Sequence, residues 1–333
     1  MIEVIPGINL LQLPLPSPDI YLGYVNIYLV QGDNGYLLVD TGWNSEEAFD
    51  SLKRQLAEIG IGFEDISQIV VTHIHPDHYG LVGKLKQLSN AKFALHHLEK
   101  DLIELRYINM DELLQQMAQW LHINGVPADE LPQLQRASVG MAKFVAPTLP
   151  DITLNGGETI PVGSFSFKVL WTPGHSPGHI CLYEPNQKIL ISGDYILPTI
   201  TPNISLHPQS SSNPLDDFLN SLDKVKQLEV DLVLPGHESP FTTLQARIEE
   251  LIWHHKQRNL EILEKVKAKA KTAYQISTEI TWIPESGGVS WHDLAPLDRR
   301  IAILETLARL ESMRVGGKVD KFSKDSTIYY QPS

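Results

Sequence analysis

Between Thr72 and Gly80 the sequence reads T-H-I-H-P-D-H-Y-G, immediately after the apolar run Ile69-Val70-Val71. A β-branched run of that kind is a short buried strand, so the histidines and the aspartate are delivered straight from a core into a turn. Four ionisable side chains within six residues, beside a core, are costly to bury unless a cation compensates them. The cluster therefore demands a fold in which strand ends converge on one edge, which is where α/β proteins build their sites. Alternate residues of the extended part project to opposite sides. The turn stiffened by Pro76 brings Asp77 and His78 round beside His73 and His75, so the segment can serve two neighbouring metals.

Three further segments end apolar runs in the same manner. Trp171-Thr172-Pro173-Gly174-His175-Ser176-Pro177-Gly178-His179 follows one, Ile191-Ser192-Gly193-Asp194 closes another, and Val233-Leu234-Pro235-Gly236-His237 closes a third. Glycines beside His175, Asp194 and His237 let the backbone turn sharply and come close to an ion. The chain has one cysteine, Cys181, and 13 histidines. An intramolecular disulfide and a thiolate-rich site are excluded, and nitrogen and oxygen donors suit zinc first, with iron and manganese as alternatives.

The rest of the front half alternates strand and helix patterns, which argues for an α/β domain. Residues 26–30 and 36–40 flank Gly32-Asp33-Asn34-Gly35 as a hairpin. A helix capped by Asn44 or Ser45 follows, with Phe49, Leu52, Leu56 and Ile59 on one face and Gly60 as its stop. Residues 98–145 interrupt the alternation with a helical insertion. Leu113, Leu114, Met117, Trp120 and Leu121 share a face there, and Met110, Met117 and Met141 fall within the segment. It fits ordinary helix packing, or a lid whose methionine surface meets an apolar substrate. Strand patterns resume over 165–171, 180–183, 189–192 and 232–234.

Residues 242–271 lack Gly and Pro and predict one long helix leading out of the first domain. Helical segments near 276–282 and over 294–313 follow, then a Gly-Gly-led ribbon over 315–322 and 327–330. Helix, helix, ribbon is the order of a winged-helix module, which binds nucleic acid or packs as a structural or dimerisation unit. The expected division is a catalytic domain over 1–245 and a linker helix with a winged-helix-like domain over 246–333, the latter offering a homodimer surface.

At 333 residues, 42% hydrophobic and 20% charged, the chain is neither disordered nor fibrous. It has no run long enough to span a membrane, and its start lacks the basic and apolar stretches of an export signal, so no membrane and a cytoplasmic location are expected. The net charge of −13 is uneven: residues 1–252 hold 14 basic and 30 acidic side chains, residues 253–333 hold 13 and 10. An acidic front half disfavours broad contact with phosphate backbones.

The H-x-H-x-D-H signature and the three later segments, in this order, resemble the metallo-β-lactamase superfamily over about residues 1–245. The resemblance implies a fold of two mixed β-sheets face to face with helices outside, an αββα sandwich. It implies that His73, His75 and His175 hold one divalent metal, that Asp77, His78 and His237 hold a second, and that Asp194 bridges them. Asp40-Thr41-Gly42 matches the family's supporting turn, where Asp40 orients ligands. The tail resembles the extension of a branch that includes endoribonucleases and other hydrolases. Two metals about 3.5–4 Å apart bridge a water, lower its pKa and deliver hydroxide, with Asp77 and Asp194 as the indispensable carboxylates.

Outside the ligand set, His207 follows Asp194 on a loop that can overhang the metals, where it reads as a substrate-pocket group and a leaving-group proton donor. Tyr79 is a second pocket candidate. His179 reads as a structural hydrogen-bonding residue, His96 and His97 as surface or ligand-supporting residues, His254 and His255 as surface residues, and Cys181 as a small core residue. Neither a G-x-S-x-G elbow nor a phosphate loop is present, and the tail does not fit a flavin domain. Three functions stand. Hydrolysis of a small ester or thioester, in the manner of hydroxyacylglutathione hydrolases, suits the apolar insertion and acidic front. Phosphodiester hydrolysis of RNA suits the tail. A nucleic-acid-binding or metal-sensing protein is the third.

Overall fold

A computed structural model describes residues 1–16, 23–282 and 287–333. The alternating apolar runs sort into two sheets. The first places its strands in chain order: β1 (Ile2–Ile5), β2 (Ile8–Pro14), β3 (Tyr24–Gly32), β4 (Gly35–Val39), β5 (Ile66–Val70), β6 (Lys92–His96) and β7 (Ile152–Leu154). Strands β1 to β4 are antiparallel and β4 to β7 parallel. The second sheet holds β8 (Thr159–Val162), β9 (Phe165–Trp171), β10 (Ile180–Glu184), β11 (Ile189–Gly193) and β12 (Leu232–Pro235), in spatial order β12-β11-β10-β9-β8, with β11 and β12 parallel. Strands β1, β2, β7 and β8 fall outside the runs that alternation picks out. At three and four residues, β7 and β8 are too short to display a period.

The helices are α1 (Glu46–Glu58), α2 (Pro76–Tyr79), α3 (Val82–Leu88), α4 (His97–Tyr107), α5 (Met110–Ile123), α6 (Leu131–Gln135), α7 (Pro214–Val225), α8 (Leu244–Val266), α9 (Ala273–Ser277) and α10 (Pro296–Val315). A ribbon of β13 (Val319–Lys324) and β14 (Thr327–Pro332) ends the chain. Ser45, rather than Asn44, caps α1 by accepting from the Ala48 amide. Ile59 is exposed and the helix buries Ala48, Leu52 and Leu56 instead.

Period-two patterning assigns the layers. Along β3, Tyr28 and Val30 point to the opposing sheet, joining Val39, Phe167, Val169, Leu182 and Leu234 in a central core, while Val25, Ile27 and Leu29 point outward to Leu52, Leu85 and Ile103 under the helices. Each fully buried side chain of this kind contributes about 1.5–3 kcal/mol. The result is helix, sheet, sheet, helix, as the resemblance implies.

The third core is the largest, and it crosses the expected boundary at residue 245. Cys181, Leu190 and Val233 on the outer face of the second sheet, Phe218 and Leu222 of α7, Leu251 of α8, Met117 and Leu121 of α5, and Ile303, Leu307 and Leu310 of α10 belong to one cluster. The tail thus shares a core with the first domain and with the insertion. Helix α8 stops short of Lys271, whose backbone turns to pair with Tyr330 of the ribbon at 3.0 and 2.8 Å. The next helix starts earlier than its apolar pattern suggests because Thr272 and Gln275 form a reciprocal cap. No helix among the described residues is long and apolar enough to cross a membrane.

Candidate metal centre

The site forms where parallel strands stop side by side. Asp40 follows β4 and holds a φ of 64°, a left-handed turn that aims its carboxylate at the end of β5. There it accepts from the Thr72 amide at 2.7 Å and from the Thr72 hydroxyl, and it faces His78 Nδ1 at 2.8 Å. His75 leads into α2, whose first residue, Pro76, has no amide hydrogen to leave unsatisfied. The other sheet brings His175 from the loop between β9 and β10, Asp194 from the end of β11 and His237 from the end of β12. Residues of β3 lock the two sheets at this edge. Asn26 Nδ2 donates to the Pro235 and Glu238 carbonyls at 2.9 and 2.7 Å, and the Tyr28 hydroxyl to Pro235 at 2.7 Å.

Seven donor side chains gather in two adjacent groups. In the first, His73 Nε2 lies 2.9 Å from His75 Nδ1, and His175 Nε2 lies 3.3 and 3.0 Å from those two atoms. In the second, Asp194 Oδ1 lies 3.2 Å from His78 Nε2 and 3.4 Å from His237 Nε2, with Asp77 Oδ2 3.3 Å from His237 Nε2. The other Asp194 oxygen is 3.8 Å from His175 Nε2, so this one carboxylate reaches both groups.

The rings are held from behind. His78 Nδ1 faces Asp40, His175 Nδ1 faces the Asn203 carbonyl at 2.9 Å, and His237 Nδ1 faces the Tyr24 carbonyl at 2.9 Å. An acceptor behind Nδ1 fixes the hydrogen there and turns the Nε2 lone pair inward, the arrangement of a metal-ligating histidine. Inside, His78 Nε2, His237 Nε2 and Asp194 Oδ1 are buried without a hydrogen-bond partner. Such groups are expensive to leave unmatched, and a cation among them matches all three. Gly236 makes this closeness possible. A β-carbon there would lie 2.9 Å from His78 Cε1 and nearer still to Asp194 Oδ1.

The charges agree. Burial pushes the His237 imidazole down, but Asp194 and Asp77 outweigh it and hold the ring up at about 10. His78 is likewise raised by Asp194 and Asp40 against its burial. The second group thus calls for positive charge, which a divalent cation supplies while displacing the protons. In the first group, burial and the neighbouring rings hold His73 and His75 well below the usual imidazole range, the neutral form a metal requires.

Several residues outside the ligand set stand elsewhere than the sequence suggests. Tyr79 is no pocket residue: its ring is fully buried and its hydroxyl donates to the Thr148 carbonyl and accepts from the Thr148 amide. His207 lies near the site, but both ring nitrogens are engaged, Nε2 by Arg106 at 3.3 Å and Nδ1 by the Gln209 amide at 3.2 Å. Burial and the Arg106 charge push it down to about 3, which disfavours the imidazolium form that a leaving-group donor uses. His255 is buried against Phe218 and Arg309 rather than at the surface. His96 is buried too, where it caps α4 and stacks on Trp171. His179 faces the Thr172 hydroxyl at 2.9 Å, and Cys181 is a core residue. The three methionines of the insertion form no common lid surface, since Met117 is in the large core and Met141 packs against the helices of the first sheet.

Two site residues have no motif to announce them. Glu99 of α4, without exposed surface, accepts from the Ile74 amide at 3.0 Å and the Gly178 amide at 2.7 Å, joining the two loops that carry the three-histidine group. Tyr107 of the same helix donates to the Ile74 carbonyl.

The sequence model of one family, the metallo-beta-lactamase superfamily, matches residues 20–237. The chain is 26% identical over 330 residues to the probable metallo-hydrolase YqjP of Bacillus subtilis (strain 168), covering 97% of this chain and 98% of that one. It is 29% identical over 229 residues to acyl-coenzyme A thioesterase MBLAC2 of Homo sapiens, covering 65% and 74%. Its structure is similar to that of a metallo-beta-lactamase family protein of Thermus thermophilus, with a TM-score of 0.83, 31% identity, and 99% and 100% of the two chains covered.

Proposed function

The chain belongs to the metallo-β-lactamase superfamily and is a metal-dependent hydrolase, and from that premise we propose that it hydrolyses acyl thioesters at a centre of two divalent cations, zinc by preference. His73, His75 and His175 would hold one cation, Asp77, His78 and His237 the other, and Asp194 would reach both. Such a pair supplies Lewis acidity, making an attacking water more acidic and offsetting negative charge on the acyl oxygen.

The chain's own residues prepare that chemistry. Asp40, Asn203 and Tyr24 fix the tautomers of His78, His175 and His237. Asp194 and Asp77 set the negative charge that retains the cations. The observation that carries the thioester reading is the geometry at His207, a histidine near the site whose two ring nitrogens face the Arg106 guanidinium and the Gln209 amide. Both ring nitrogens face donors, and burial with the Arg106 charge disfavours the imidazolium, so His207 is poorly placed to protonate a leaving group. A thiolate leaves as an anion, with a pKa of about 8.5, and asks for none, whereas an amide or alkoxide leaving group does. The similarity to an acyl-coenzyme A thioesterase supports the same substrate class.

Phosphodiester hydrolysis of RNA is the competing reading, resting on the winged-helix-like order of the tail. Against it, α10, the helix such a module would present to nucleic acid, is buried on nearly every side, with Arg300, Ile303, Thr306, Leu307, Arg309 and Leu310 all inside. On the ribbon, Lys321 lies 3.5 Å from Glu311. The test is a ladder of matched thioester, oxygen ester and amide with one acyl group. The thioester reading expects kcat/KM to fall steeply as the leaving group becomes more basic; equal rates on ester and thioester would overturn the argument from His207.

A further inference from the structure

Among the described residues, four arginines are nine-tenths buried: Arg247, Arg258, Arg300 and Arg309. Three have a glutamate, Glu250, Glu261 and Glu305 respectively, at 3.1, 2.5 and 2.6 Å. Arg300, on α10, has no carboxylate within ion-pair distance among the described residues. Its Nε has no partner, and its other contacts are 3.4 and 3.3 Å to the Leu134 and Gln135 carbonyls at the end of α6. Those carbonyls carry only the partial charge of a helix end. A buried cation so weakly matched is an electrostatic cost to the fold.

A second cation makes the cost larger. Arg106 of α4 is also without a carboxylate among the described residues, and its charge, after burial, holds the Arg300 guanidinium down to about 10. Arg106 reaches His207 Nε2, and its charge is felt at His75. Both sides of this pair are anchored to the metal centre. The residue after Arg106, Tyr107, bonds the Ile74 carbonyl between two ligands, and Asn203, four residues before His207, bonds the ligand His175. Behind them, Leu206 donates to the Leu304 carbonyl of α10 and accepts from Trp120. In a chain of net charge −13, two unmatched guanidinium groups beside the catalytic edge form a local positive site.

We propose that Arg106, backed by the buried Arg300, receives an anionic group of the substrate, a phosphate or a carboxylate, beside the three-histidine group. The inference rests on the hydrolase reading for the substrate it describes, and it narrows that substrate to thioesters carrying negative charge. Arg106 supplies planar, charge-assisted donors and Arg300 adds field from behind without needing contact. His207 positions the Arg106 fork.

The experiment compares metal-loaded wild type with Arg106→Met and Arg106→Lys on octanoyl-coenzyme A, octanoyl-pantetheine and glutaryl-pantetheine. The first pair isolates phosphate on the thiol side, and the last two isolate carboxylate on the acyl side. A phosphate site predicts that the preference for octanoyl-coenzyme A over octanoyl-pantetheine falls at least about tenfold in Arg106→Met and is partly kept in Arg106→Lys. A carboxylate site predicts the same collapse for glutaryl over octanoyl-pantetheine. Both ratios unchanged within twofold, or all three rates falling together, would overturn the proposal. Thermal shifts of the same proteins with pyrophosphate and with glutarate separate this from the thioester reading. If no thioester is turned over, a shift lost in Arg106→Met keeps the anion site and discards the thioester, whereas equal shifts in both proteins discard the site.

Discussion

The Glu99 carboxylate accepts the Gly178 amide at 2.7 Å with its Oε1, while its Oε2 accepts the Ile74 amide. One buried side chain of the insertion therefore sets the spacing between the loop of His73 and His75 and the loop of His175. Glu99→Gln keeps the size but turns an amide hydrogen towards one of the two N–H groups. It should cost about 1–3 kcal/mol of stability and weaken metal binding at the three-histidine group by roughly tenfold or more. Chelator competition and a thermal melt check this together; an unchanged metal affinity would show that α4 only covers the site.

Gly236 lies against His78 and Asp194 with no room for a β-carbon. Because a β-carbon would crowd His78 and Asp194, Gly236→Ala should push those side chains apart. Bound metal should fall from two equivalents towards one on metal analysis, with activity reduced at least about a hundredfold. Full metal content and activity would mean that the loop can yield without disturbing the ligands.

His255 offers a prediction about acid. Burial, then Arg309 and His254, holds its pKa well below that of a free imidazole, and neither ring nitrogen has a partner. The folded state therefore refuses a proton that the unfolded chain accepts below about pH 6.5. The sign follows: its contribution is constant above that pH and is lost as pH falls through it. His255→Leu, similar in volume, should match or exceed wild-type Tm at pH 7 and widen its lead towards pH 5. A gap between the two melting curves that does not change with pH would contradict the assignment.

The ligand positions are legible because each is written within a few residues of a strand end, where an apolar run, a glycine and a donor stand together. Their supports are not. Glu99 and Arg106 come from a helix whose periodicity reveals only its apolar face, and the amides that Glu99 binds lie 25 and 79 positions away. His255 reads as a surface residue because its neighbours in sequence are charged. It is buried by Phe218 and Arg309, from helices brought to α8 by tertiary packing. The packing of the tail is hidden for the same reason. A pattern marks where α10 lies but not that the insertion and the second sheet share its core.

Asp194 reaches both donor groups, so metal-dependent thioester hydrolysis should depend on it. The most direct measurement is the initial rate of the metal-replete protein on an acyl-thioester series and on single-stranded RNA, side by side, with Asp194→Ala as background. Thioester turnover is expected that Asp194→Ala abolishes and that a chelator removes, with no RNA cleavage above background. RNA cleavage without thioester turnover, or thioester turnover that survives in a metal-replete Asp194→Ala protein, would contradict that expectation.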